Sequence, residues 1–140
     1  MEITIKNLQK KIPIHPKRIK QAVLKALAQV TTKRSGQITI CFVDDKAIRE
    51  INLLYLGEDR PTDVIAFDLG KGGSEIFADL AVSTDTAVRQ ARIYKTQPAY
   101  EIYLYVVHGI LHIMGFDDKT AKKRRLMDEK TRQILSALKI

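Results

Sequence analysis

From Ile102 to Met114 thirteen residues pass without a single Asp, Glu, Lys or Arg. A run of that length bounded by Pro98 on one side and Gly115 on the other reads as a helix. A helix that is apolar nearly all round must be buried on all sides, so any fold of this chain has to be built around it. The run is too short to cross a bilayer. Its polar exceptions are His108 and His112. Spaced i, i+4, they share one helix face. Gly115 can stop the helix in a left-handed turn and fold the chain back, and Asp118 lies beyond that turn. The pattern H-x3-H-x2-G-x2-D therefore offers three ligands, His108, His112 and Asp118, and leaves a fourth position open, as a catalytic metal site does. Two core histidines, each satisfied by its own hydrogen bond, are the simpler alternative. Burying two imidazoles without partners is costly, however, and a shared ion removes that cost.

The rest of the chain supplies what surrounds such a helix. Glu2 to Asn7 alternates and predicts a strand. Pro16 opens a helix to about Val30, with Ile19, Val23, Leu24, Leu27 and Val30 as its apolar stripe. Gln37 to Val43 predicts a second strand. Asp44 or Asp45 caps a helix with the stripe Ile48, Ile51, Asn52 and Tyr55. Thr62 to Phe67 and Ile76 to Ser83 predict two more strands around a Gly-rich loop, Gly70 to Ser74. Thr84 or Asp85 caps the next helix, and Lys119 to Leu138 predicts a last amphipathic one. The expectation is an α+β fold of one domain over residues 1–140: a four-stranded mixed sheet with about five helices, covered mainly on one side, the apolar helix packed centrally. The single cysteine, Cys41, excludes an internal disulfide and suits core packing in a reducing compartment. The N-terminus lacks the apolar segment of a signal peptide, and the chain is expected in the cytoplasm, off the membrane.

The net charge of +8 is unevenly placed. Residues 1–36 hold nine Lys or Arg and one acid, against fifteen of each in residues 37–140. A basic surface beside a hydrolytic metal site points to nucleic acid. Lys10, Lys11, Lys17, Arg18 and Lys20 are the candidate RNA contacts, with Lys122 to Arg125 as the alternative patch.

The segment HGILHIMGFDD, from His108 to Asp118, resembles the signature of the YbeY family of rRNA maturation factors, H-G-x-L-H-x-x-G-[YF]-D-H. Asn52 to Asp68 is similar to its segment N-x-x-Y-R-x-x-D-x-P-T-D-V-L-S-F-P, and Phe77 to Ser83 to its G-D-I/L-x-I-S strand. The resemblance implies a YbeY-type fold and a metal-dependent, single-strand-specific endoribonuclease. Its implied role is small-subunit rRNA maturation and ribosome quality control, with RNA and the small ribosomal subunit as partners. The chain is expected to be a monomer. The resemblance also implies one zinc ion held by His108, His112 and Asp118. The general base is not named by the sequence: beside a metal-bound water, the acidic residues Asp63 and Asp79 of the matched segments are candidates, and each serves equally well as a structural hydrogen-bond acceptor.

The chain departs from the family pattern at three places. Asp118 stands where the family has a third histidine, which lowers the charge of the site by one and makes iron or manganese more suitable. Leu56 stands at the family's arginine and cannot hold a phosphate. Ala66 replaces a serine. Two rivals follow: a ribosome-associated RNA-binding factor with a mainly structural metal, and a metalloprotease. The protease reading lacks the glutamate of H-E-x-x-H, since Gly109 follows the first histidine.

Overall fold

The computed structural model describes residues 1–70 and 72–140. Lys71, in the expected Gly-rich loop, lies outside them. The elements run β1 (Glu2–Asn7), α1 (Pro16–Val30), β2 (Gly36–Val43), α2 (Asp45–Leu56), β3 (Val64–Asp68), β4 (Ile76–Ser83), α3 (Thr84–Tyr94), α4 (Pro98–Ile113) and α5 (Ala121–Ala137). The strands form one mixed sheet in the order β1-β2-β4-β3. β1, β2 and β4 are parallel, and β3 pairs antiparallel with β4, Val64 opposite Val82. The α+β expectation holds, with four strands and five helices among the described residues.

The uncharged helix is the centre of the molecule. α4 packs on β3 and β4 and is flanked by α1, α3 and α5. Val106, Val107, Ile110 and Leu111 are inaccessible to solvent. Gly109 is what lets α4 lie so close to the sheet. A Cβ there would stand 2.5 Å from the Leu80 side chain and 3.2 Å from that of Val64. The opposite face of the sheet carries a smaller cluster, Val43, Ile48, Ile65 and Ala81, under α2.

Several boundaries differ from expectation for local reasons. On α1 the buried face is Ile19, Ala22, Val23, Ala26 and Leu27, and Leu24 is 49% exposed. Small alanines let α1 approach α4, so the face rotates away from the larger Leu24. Tyr55, expected on the buried stripe of α2, is exposed and meets Phe67 edge-on at 5.3 Å. β3 starts at Val64 instead of Thr62 because the Asp63 carboxylate accepts from the Val64 N–H (2.8 Å) and the Thr62 hydroxyl (3.2 Å). α3 is capped by Ser83, not by Thr84 or Asp85. The Ser83 hydroxyl accepts from the Thr86 N–H and donates to Asp45. α5 starts at Ala121, capped by Thr120, two residues after the expected Lys119.

Candidate active site

α4 ends as its sequence requires. Gly115 adopts φ +96°, a region closed to most side chains. The Phe116 N–H reaches back to the Leu111 carbonyl at 3.0 Å. This turn places the Phe116 carbonyl 2.8 Å from His112 Nδ1. The carbonyl can only accept, so Nδ1 donates, which in the neutral ring leaves the lone pair on Nε2, the form in which imidazole binds metal. One turn earlier on the same face, His108 is partly exposed and borders a cleft of about 680 Å³.

The expected third ligand is not gathered with them. Asp118 is exposed, and its backbone carbonyl meets the Arg124 side chain at 3.5 Å. Among the described residues no three His, Cys, Asp or Glu side chains form a group able to hold one ion. The carboxylate nearest to His108 belongs instead to half-exposed Asp128 on α5, with Oδ1 4.0 Å from His108 Nε2. Asp117 turns the loop: it accepts from the Lys119 N–H, which holds its carboxyl below the ordinary range, and lies 3.6 Å from Lys123. Two imidazoles with a carboxylate at hand still suit a divalent ion of the zinc, iron or manganese kind.

The cleft beside His108 is lined from three sides of the fold. Asp63 comes from the segment before β3, Thr86 and Arg89 from α3, and Glu101 and Tyr105 from α4. Of the two expected catalytic acids, Asp63 borders this cleft. Asp79 does not. Its neighbours Ala78 and Leu80 point into the core under α4, so Asp79 projects from the opposite face of the sheet, where it is exposed.

Arg89 is the one Lys or Arg among the described lining residues. Its guanidinium pairs with Asp45 and donates to the Thr86 hydroxyl at 3.0 Å. Burial pushes the Asp45 carboxyl up. Hydrogen bonds from Arg89, Ser83 and Thr86 outweigh that and hold it below its ordinary value. Asp85 ties the same corner to the basic N-terminal segment, because it accepts from the Asp45 N–H and pairs with Lys11. Among the other candidate RNA contacts, Arg18 lies over the Tyr103 ring at 5.7 Å, while Lys10, Lys17 and Lys20 are exposed. Leu56 is exposed at the end of α2 and is not among the cleft residues.

Arg89, Glu101 and Asp128 escaped the reading of the sequence. Arg89 and Asp128 come from other helices, and no local pattern links them to the histidines. Glu101 carried a signal: it is the one acid on α4, seven residues before His108 and so on its face.

The family described as "Endoribonuclease YbeY" matches residues 4–139. The chain is 34% identical to the protein named Endoribonuclease YbeY from Syntrophus aciditrophicus, over 99% of this chain and 90% of that one. It is 38% identical to that of Elusimicrobium minutum, over 89% and 92%. A solution structure of TM1509 from Thermotoga maritima superposes with a TM-score of 0.65 at 25% identity, covering 97% of this chain and 88% of that one. The family match takes in most of β1, every later strand and helix, and the turn that follows His112, and the chain belongs to the YbeY family.

Proposed function

We infer that this chain is an endoribonuclease, with the reacting phosphate at the mouth of the cleft beside His108. The family match over residues 4–139, with two histidines on one open face of α4, is the observation that carries this reading. His108 and His112 would hold one divalent ion, zinc in the first instance, with a carboxylate from Asp118 or Asp128. Such an ion supplies Lewis acidity at a phosphoryl oxygen and a more acidic water. The chain's own groups do the rest. The Phe116 carbonyl fixes the His112 ring. Arg89 offers the cleft a guanidinium for the phosphate backbone, the role that Leu56 cannot fill. Asp63 borders the cleft and can take a proton there. Gly109 abuts Leu80 and leaves no room for the glutamate that a protease of the H-E-x-x-H kind requires.

The substrate proposed is single-stranded RNA, in the cell the rRNA of the small subunit, met by a monomer in the cytoplasm. No helix among the described residues is long and apolar enough to cross a membrane. The test is a substrate panel: single-stranded rRNA, the same sequence as a duplex, and casein. Cleavage of the single strand alone supports the reading; cleavage of casein, or of neither RNA, overturns it. Zinc stoichiometry of Asp118→Asn and Asp128→Asn identifies the carboxylate ligand, since the correct one loses metal.

A further inference from the structure

The cleft beside His108 is larger than a phosphate needs, and its inner wall holds groups that the cleavage chemistry does not use. Glu101 is only 2% exposed, and its Oε2 has no hydrogen-bond donor. The nearby Thr96 hydroxyl offsets part of the effect of burial on the carboxyl, and its own oxygen is buried without a hydrogen-bond partner. The Tyr105 hydroxyl is buried and unpartnered as well. All three residues line this one cleft, and two further tyrosines, Tyr94 and Tyr100, line it with them. A buried polar atom without a partner costs roughly 1–3 kcal/mol. Three in one cleft, next to aromatic rings, describe a site whose hydrogen bonds are completed by a ligand.

We propose that this cleft is a nucleobase subsite that takes one unstacked guanine of the RNA, on the Tyr94 and Tyr100 rings, with its Watson–Crick edge turned to Glu101. The proposal rests on the reading of the chain as an endoribonuclease. Proteins that read single-stranded RNA splay a base out, stack it on aromatic side chains and hydrogen-bond its edges. An inward carboxylate can only accept. Guanine alone among the four bases presents two adjacent donors, N1–H and the N2 amino group. Adenine and cytosine set one amino group beside a ring acceptor, and uracil sets one N–H between two carbonyls. Those acceptors would face the carboxylate lone pairs. Guanine O6 is left for a hydroxyl donor, which Thr96 or Tyr105 supplies. The cleft volume of about 680 Å³ lies within the range of small-ligand sites.

Mononucleotides test this without any cleavage step. The purified full chain is titrated with 5′-GMP, AMP, CMP and UMP, followed by calorimetry or by NMR shifts of the tyrosine rings. GMP is expected to bind about tenfold or more tightly than UMP, the discrimination of one bidentate contact. Glu101→Gln should weaken GMP by about the same factor and leave UMP within about twofold. Tyr94→Ala, at a position 68% exposed and therefore safe for folding, should weaken all four nucleotides together. Equal affinities for the four nucleotides overturn the proposal even if RNA is cleaved, as does a guanine preference that survives Glu101→Gln. A guanine preference lost in Glu101→Gln supports it even if no RNA is cleaved.

Discussion

Burial raises the Glu101 carboxyl above its ordinary value of 4.5, Thr96 opposes the shift, and the charge of Asp63 adds to it. The folded protein therefore holds this proton more tightly than the unfolded chain does. The stability that comes from the neutral form is complete below pH 4.5 and is lost as pH rises through the folded value. Glu101→Gln, which cannot ionise, should gain thermal stability relative to the parent as pH rises above 4.5, and the gain should level off beyond the folded value. A melting-temperature difference independent of pH would contradict the assignment. Asp45 behaves in the opposite sense. Its carboxyl lies below the ordinary 3.8, so its contribution is present above that pH and is lost on acidification. Asp45→Asn removes the charge and the oxygen that pairs with Arg89, and leaves one amide oxygen for Ser83 and Thr86. It should cost about 1–3 kcal/mol at neutral pH in chemical denaturation, and the difference from the parent should shrink as the pH falls below 3.8.

At the scale of elements, α4 explains both what the sequence reveals and what it hides. Its thirteen uncharged residues announce a central helix, its two histidines announce a face, and Gly115 announces the turn. These are local patterns, and the structure follows them. The strands are equally legible, because alternation and turn residues mark them. What surrounds His108 is not. Asp128 and Arg89 reach it only because α5 and α3 pack beside α4, and helix packing leaves no periodic trace in a single sequence. The caps show the same limit at shorter range: Thr84, Asp85 and Ser83 all suit a cap, and the hydrogen bond from Ser83 to Asp45 selects among them. The close approach of α4 to the sheet yields a further prediction. Gly109→Ala should destabilise the fold by about 1–3 kcal/mol, because Leu80 is buried and has no space to yield. Since His108 precedes Gly109, RNA cleavage should fall with it. Pairing the change with Leu80→Val should recover part of both losses, measured by melting and by cleavage rate. Failure of the pair to recover either would show that this packing does not set the position of α4.

At the scale of the whole molecule, the excess charge of residues 1–36 meets the cleft through one corner, where Lys11 pairs with Asp85 and Asp85 accepts from the Asp45 N–H. Lys11 is engaged by Asp85, so the exposed cations Lys10, Lys17 and Lys20 should carry the RNA path. Replacing these three by Gln should weaken binding of unrelated single strands alike. It should also lower the salt slope by roughly 0.7 for each phosphate left without its lysine, while metal content stays constant. An unchanged slope would move the path to Lys122–Arg125 on α5. The rate of cleavage of an end-labelled single-stranded rRNA fragment is the sharpest test of catalysis through His108 and His112. Zinc-loaded parent protein is expected to cut the strand internally, and His112→Ala, still folded, is expected to be slower by about 100-fold or more. Equal rates for the two proteins would contradict it.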